Sequence, residues 1–384
     1  MSILAEYLPD GCGNIDTYSF PYISQLAVSY LKAGHDVDVF TSSTAVTTPQ
    51  VIDAGRLRVY IGRRRKSARH RGIDFFRVER RDLRDAMQLA EPDVIHAHWT
   101  YEFAAAALSA QKDSLVTAHD SPQALIRHYH HVYWWLRAAL GVVTVRRAKN
   151  LTLVSPSLSK QIKRIAYKKT SIKVIPNGVK PQEVNLKTSR PPRDVFRYAC
   201  VANGFDSRKN TKVAIEAFAL VRRVYPDSVL ALFGSGHGVA EEAYTWSREL
   251  GIAAGIEFRG QTSHDEILRS FSQEIDVLVH PSVWEACSVA ILESASYGVP
   301  VIGGSNSGGV PFTLGYGRIG VLTDIKNKDS LAHEMILMQD NRTVLDEKRV
   351  SARDYVTENF SYEDVVTEYL AQLKAIVANR TANA

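Results

Sequence analysis

The chain has 384 residues, 45% apolar and 23% charged, a composition that gives room for two or three domains and excludes a disordered chain, a coiled coil and a collagen-like fibre. Its net charge of +6 is unevenly shared: residues 1–180 hold 26 Lys and Arg against 15 Asp and Glu, and the remainder 21 against 26. Cys12, Cys200 and Cys287 lie far apart with no Cys-x-x-Cys, which excludes a disulfide scaffold or a zinc ribbon and fits a reducing compartment. The first six residues carry no basic start and no long apolar run, so no signal peptide is expected. No stretch reaches the ~18 uninterrupted apolar residues of a spanning helix, and the best candidate, 134–145, is broken by Arg137. The expectation is a cytoplasmic protein, at most peripheral on the inner face of a membrane.

In chain order, β-rich runs near 3–7, 36–41, 74–79, 94–98, 114–119, 151–155 and 173–175 predict strands, with helices between several of them. Tyr22, Leu26 and Tyr30 recur every four residues, and Gly34 is the expected helix stop. Residues 181–195 have no periodicity and contain Pro181, Pro191 and Pro192, so they read as a linker. A second alternating set follows, with strands near 197–202, 228–233, 256–259, 277–280 and 299–303. Helices are expected near 211–224, 240–250, 265–271 and 289–297. Residues 362–378 form a last helix through Val365, Tyr369, Leu373 and Ile376. The pattern predicts an α/β protein of two doubly wound domains, 1–180 and 196–360, joined by the linker 181–195, with a C-terminal helix in 361–384 packing back on the first domain. The default site is then the cleft between them.

Basic residues cluster at Arg63-Arg64-Arg65-Lys66 with Arg69 and Arg71, at Arg146-Arg147-Lys149, and at Lys160, Lys163, Arg164, Lys168 and Lys169. These are a solvated surface or an attraction for lipid headgroups or nucleic acid. Asp36-Val37-Asp38 spells Asp-x-Asp but lies in an alternating strand, so it reads as strand surface. His128, His130 and His131 lack a carboxylate partner and a zinc spacing. Trp134-Trp135 beside Arg137 reads as core packing or as an interfacial anchor.

The chemistry concentrates at Trp284-Glu285-Ala286-Cys287-Ser288-Val289-Ala290-Ile291-Leu292-Glu293. A helix starting near Ser288, a good N-cap residue, puts Glu285 in the loop before it and Glu293 on its second turn. The backbone N–H groups at 286–289 then suit an anionic phosphate. This stretch resembles the Glu-x7-Glu signature of retaining glycosyltransferases of the GT-B fold, in particular glycosyltransferase family 4. The flanking His280-Pro281-Ser282, Tyr297 to Ile302 and Gly308-Gly309-Val310-Pro311 agree with it. So do Gly204 to Asn210, Phe233-Gly234-Ser235-Gly236, Ile175-Pro176-Asn177-Gly178-Val179 and Pro92 to His98. Near the start, Gly13-Asn14-Ile15-Asp16-Thr17-Tyr18 resembles the family's glycine loop, with Asn14 in place of a glycine. The family's Gly-Phe-Gly is Ala286-Cys287-Ser288 here, its arginine position falls on Gly204, and an acidic position is Phe312.

The resemblance implies two Rossmann-like domains facing a cleft, and a retaining transfer of sugar from a nucleotide-diphosphate donor to a glycan or lipid-linked acceptor. It implies no cofactor and no metal. Catalytic roles fall on His119, Glu285 and Lys209. Donor contacts fall on Gly13, Asn14, Arg208, Lys209, Gly234, Glu285, Ala286, Cys287, Ser288, Val289 and Glu293, with Glu285 on the sugar hydroxyls and Glu293 on the ribose. An anionic membrane surface is a further expected partner, and nucleic acid is not. Two other readings stay open: a nucleotide-sugar epimerase, and a non-catalytic protein of the same fold that binds anionic lipid or nucleic acid.

Overall fold

The computed structural model describes residues 2–9, 17, 21–180 and 195–382. The linker segment 181–194 and the loop residues Gly13 and Asn14 lie outside the described residues. The chain forms two compact units. One comprises Met1–Val154, Leu158–Ile175 and Val366–Ala384, the other Ser155–Ser157 and Pro176–Val365.

Among the described residues, unit one contains two sheets. In the first, β1 (Val37–Ser43), β2 (Gln50–Ala54) and β3 (Leu57–Arg63) stand in the order β1-β3-β2. β1 and β3 are parallel, while β2 joins β3 antiparallel. In the second, β4 (His96–His98), β5 (Leu115–Ala118), β6 (Asn150–Leu153) and β7 (Ser171–Val174) are parallel neighbours in chain order. Leu57, Val59 and Ile61 of β3 pack with Leu4, Leu8, Ala27 and Val46 in one core. The last helix, Tyr362–Thr381, adds Tyr369, whose ring lies 4.8 Å from that of His96, and Arg380, bonded to Asp113 at 2.9 Å.

Three expectations are corrected in unit one. Residues 2–7 form a 3₁₀ helix, not a strand; Leu4 and Leu8, four apart, both face the core. Residues 74–79 are not a strand either. Phe75 and Phe76 take left-handed backbone angles between the helices Ala68–Ile73 and Arg77–Ala90. The buried face of the second helix is Glu79, Asp82, Leu83 and Met87, at helical spacing but half acidic, so hydropathy conceals the period. Third, β2 and β3 were not anticipated.

Those two buried acids also redefine the basic run. Arg63 forks onto Asp82 at 2.7 Å, and Arg65 reaches both Asp74 and Glu79 at 2.7 Å. Burial raises the carboxyl pKa of Glu79 and Asp82, but the arginines outweigh it and hold both below the usual range. Arg63 and Arg65 are therefore structural ion-pair partners rather than a free cationic patch. Asp38 pairs with Arg58 across the β1–β3 ladder at 2.7 Å, and Asp36 with Arg56 just before it at 2.9 Å.

The described residues of unit two form one parallel six-stranded sheet, with helices between its strands: β8 (Arg197–Val201), β9 (Val229–Phe233), β10 (Ile256–Gly260), β11 (Val277–His280), β12 (Val301–Gly304) and β13 (Gly320–Thr323). The order is β10-β9-β8-β11-β12-β13, the doubly wound 3-2-1-4-5-6 arrangement. β8, β9, β11 and β12 are almost wholly apolar and their cores are fully buried, as expected when helices cover both faces. The chain order reverses between β8 and β11. Ligands in such sheets bind outside the carboxyl ends of the strands at that switch point.

Candidate donor-sugar site

The loops that leave β8 and β11 carry the predicted residues. After β8, Asp206 Oδ1 accepts from the backbone N–H groups of Arg208 and Lys209 at 2.9 and 2.8 Å, closing a tight turn. Asn210 follows with left-handed angles, and its side chain donates to the carbonyls of Pro281 and Ile325 at 3.1 and 2.8 Å. The β8 loop is thereby tied to the start of the β11 loop. Val283 N–H adds a bond to the Arg208 carbonyl at 2.8 Å.

This tie brings three charges together. Lys209 Nζ donates to Glu285 Oε1 at 2.7 Å, and Arg208 reaches the same oxygen at 3.3 Å. Burial pushes the Glu285 pKa up, but Lys209, with His280 and Arg208 beside it, outweighs that and brings it down to about 2. Glu285 is therefore an anion at neutral pH. His280, at the end of β11, is pushed by burial down to about 4 and is neutral. Gly204, at the position of the family arginine, has a positive φ of 91°, so Arg208 and Lys209 are the two cations the loop offers.

The Glu285 loop is fixed through main chain. Glu285 N–H donates to the Ser307 carbonyl at 3.3 Å, and its own carbonyl accepts from Gly309 N–H at 2.7 Å. Gly308 has φ +67°, and a Cβ on Gly309 would stand 1.7 Å from the Ala286 oxygen. The Gly308-Gly309 motif thus supplies a surface without side chains against which the glutamate loop lies. Gly309→Ala is expected to cost about 3 kcal/mol or more, read as a lower urea midpoint. An unchanged midpoint would show that the loop has room. Phe312, in the acidic position of the family, packs edge-on against Phe360 at 5.5 Å, so it stabilises rather than charges this segment.

The helix after the loop is Val289–Ser296, with Ser288 at the N-cap position. Here the expectation is corrected: the Ser288 hydroxyl makes no capping bond. The first-turn N–H groups are held by no cap side chain, the arrangement that suits an anion. Glu293, on the second turn, accepts from His264 Nε2 at 2.6 Å, and this bond raises the His264 pKa. Behind the loop, Asn177 donates to the Cys287 carbonyl at 2.8 Å. This is one contact that the Ile-Pro-Asn-Gly-Val motif makes. Burial pushes the Cys287 thiol up to about 12, so it is not a nucleophile. Gly234 marks the turn after β9, where φ is 106° and a Cβ would meet the Ala202 oxygen at 2.1 Å.

In unit one, His119 follows β5 and shares a 3.0 Å hydrogen bond with His98. His96 bonds to Thr117 at 2.7 Å and to Tyr30 at 3.1 Å. Burial lowers all three histidines, His96 to about 3 and His119 to about 4, so they are neutral at pH 7. Sequence reasoning found His119 but missed its partners, and it missed His264, which lies 29 positions from Glu293. Asn177 was legible as part of a motif, though not its contact.

With the geometry in place, comparison with known proteins gives consistent matches. A family model for Glycosyltransferase Family 4 matches residues 21–183, and one for Glycosyl transferases group 1 matches residues 186–358. A glycogen synthase of Mycobacterium tuberculosis is 26% identical over 289 residues, 72% of this chain and 67% of that protein. A UDP-Gal:alpha-D-GlcNAc-diphosphoundecaprenol alpha-1,3-galactosyltransferase of Escherichia coli is 24% identical over 60% of each chain. Among solved structures, sucrose-phosphate synthase from Thermosynechococcus elongatus aligns with a TM-score of 0.78 at 19% identity, covering 94% of this chain and 93% of its own. Anabaena HepE in complex with UDP and glucose aligns at 0.66 and 18% identity, covering 83% and 86%.

Proposed function

Since the chain belongs to the glycosyltransferases of family 4, an enzyme family of the GT-B fold, we propose that it moves a sugar, with retention of configuration and without a metal, from a nucleotide-diphosphate donor to a lipid-linked glycan at an anionic membrane surface. The observation that carries this reading is the meeting of Lys209, Arg208 and Glu285 at the switch point of the unit-two sheet, next to a helix whose N-terminus no side chain caps. Breaking the bond between the anomeric carbon and the diphosphate oxygen leaves charge on the departing diphosphate. Lys209, Arg208 and the first-turn N–H groups of Val289–Ser296 are the donors that stabilise it.

Glu285 stays ionised beside its cations and faces the sugar, whose carbon gains oxocarbenium character. The acceptor oxygen attacks from the face the diphosphate leaves, and its proton passes to the departing phosphate oxygen. His119, neutral at pH 7, serves as a hydrogen-bond partner of the sugar rather than as a base. Glu293 takes the ribose, and His264 orients it. The lipid-linked acceptor is supported by the E. coli relative, whose name specifies a diphosphoundecaprenol-linked acceptor.

Thermal unfolding with UDP, GDP, ADP and CMP at millimolar concentration tests the donor site. One nucleotide is expected to raise the melting temperature by several degrees through mass action, and Glu293→Ala to lose most of that rise. Silence from all four would defeat the donor assignment.

A further inference from the structure

Residues 121–180 contain twelve Lys or Arg and not one Asp or Glu. Arg137 is buried against Glu102 at 3.2 Å, and Lys173 pairs with Glu368 at 3.0 Å. Four of the others, Arg146, Arg147, Lys149 and Lys169, gather with Lys112 and Tyr167 around a cleft of about 370 Å³. The loops that carry them precede β5, β6 and β7, so the cleft opens at the amino ends of those strands, opposite the end that bears His119. None of the five cations is in an ion pair among the described residues. Asp113, the acid next to Lys112, is taken by Arg380. Five like charges converging on one concavity repel one another, and an anion relieves that repulsion.

One wall of the cleft continues into an apolar face. The helix Val132–Arg147 ends in Arg146 and Arg147, and its outward positions Val132, Trp135, Ala139 and Val143 recur at intervals of three and four residues. Val132 is 67%, Trp135 57% and Val143 52% exposed. The two adjacent tryptophans divide the tasks weighed for them in the sequence. Trp134 stacks on Tyr129 at 4.5 Å, with the Arg137 guanidinium 5.8 Å from its ring. Trp135 points away from the core. A helix with an exposed tryptophan, aliphatic neighbours along the same stripe and arginines at one end has the make-up of an interfacial helix. Arg63 and Arg65, by contrast, are neutralised by Asp82, Asp74 and Glu79 and contribute no such face.

We infer that the outer face of the helix Val132–Arg147, together with the cleft of Lys112, Arg146, Arg147, Lys149 and Lys169, is a docking surface for an anionic phospholipid bilayer. Trp135 and its apolar neighbours enter the interface, and the cleft takes a headgroup phosphate. The inference rests on the part of the functional reading that puts the acceptor at a membrane, and it names the face that meets it.

Full-length protein is floated with phosphatidylcholine vesicles and with vesicles of equal parts phosphatidylcholine and phosphatidylglycerol. Binding is expected to the anionic vesicles alone and to weaken with salt. Replacing Lys112, Lys149 and Lys169 together with Ser is expected to lower the partition constant on the order of a hundredfold. Trp135→Ser, at an exposed position, is expected to lower it as well. Both variants should keep the wild-type melting response to nucleotide, which shows that they are folded and that the donor site is intact. Flotation of the variants equal to wild type would overturn the face while leaving a membrane-bound enzyme. Failure of the wild type to float would overturn both the face and the membrane setting, while the nucleotide response still tests the transferase separately. A melting rise with millimolar inorganic pyrophosphate that the triple variant abolishes, without flotation, would make the cleft a site for a soluble anion and overturn bilayer docking.

Discussion

Replacing Lys209 with methionine is expected to lower turnover by two to three orders of magnitude, measured as release of nucleoside diphosphate from the sugar donor at saturation. Methionine keeps the length and apolar stem of lysine and removes the charge, so the turn closed by Asp206 is retained. In the proposed reaction the lysine meets charge that appears on the diphosphate only as the bond breaks. Removing one such preorganised donor costs on the order of a hundredfold to a thousandfold in kcat. The same substitution removes the nearest counter-charge of Glu285, so the carboxylate pKa should rise and the acid limb of the pH–rate profile should move upward. Arg208→Met is expected to do less, because its contact with Glu285 is the longer one. If the lysine variant keeps more than half of wild-type turnover, the diphosphate is held elsewhere. Equal losses for the two single variants would mean that the cations act as one unit.

The second large effect is acid lability in a narrow window. Burial holds His96 at about 3, His119 and His280 at about 4, and His98 well below its ordinary value. A folded-state pKa below the unfolded value of ~6.5 means that the unfolded chain binds more protons, so stability is lost as pH falls through 6.5 towards 4. At pH 4.5 His96, His119 and His280 each cost on the order of 2 kcal/mol, and His98 adds to the loss in the same direction. His264 runs the other way: its raised pKa contributes stability that is complete below 6.5 and is lost as pH rises through its folded value. It therefore does not offset the loss on the acid side. Glu285 and Glu274, both held at about 2, lose their contribution only below ~4.5. The melting temperature is accordingly expected to fall by about 10 °C or more between pH 6.5 and 4.5, and His119→Gln to give a shallower fall. A flat profile over that range would show that the histidines are protonated inside the fold.

Unit two was legible in the sequence as far as the strand Val301–Gly304, whereas the helices Lys328–Asp340 and Arg342–Asn359 beyond it were not read. The runs at 277–280 and 211–224 match the strand Val277–His280 and the helix Thr211–Val224, because strands buried on both faces are nearly pure Val, Leu, Ile and Ala and the helices between them are amphipathic. Unit one was harder for a reason visible at Glu79 and Asp82. Where buried positions are filled by acids that arginines neutralise, hydropathy does not report burial, and a helix is read as a strand. β13 was missed because Gly320–Thr323 is short and begins on glycine. In the candidate site, the spacing of Glu285 and Glu293 was readable because both sit on one loop and helix. The bonds from His264 and Asn177 were not, since each joins positions far apart in the chain. The reason for Gly309, where any Cβ would run into the Ala286 carbonyl, was not legible: the sequence showed the glycine pair only as part of a motif.

The main-chain anchoring of the Glu285 loop has a consequence for how such an enzyme changes its substrate. Two backbone hydrogen bonds, to Ser307 and from Gly309, place the carboxylate, and neither depends on a side chain at 286–288. The triplet Ala286-Cys287-Ser288, which differs from the family's usual residues, is thus carried by main-chain bonds, and burial of all three side chains limits it to residues of similar size. In the proposed reaction these three positions border the sugar while Glu285 serves every sugar alike. Preference for one hexose over another can then drift by substitution within the triplet while the machinery for bond cleavage stays in register. A designer could vary the same three positions among small residues that the buried loop accommodates.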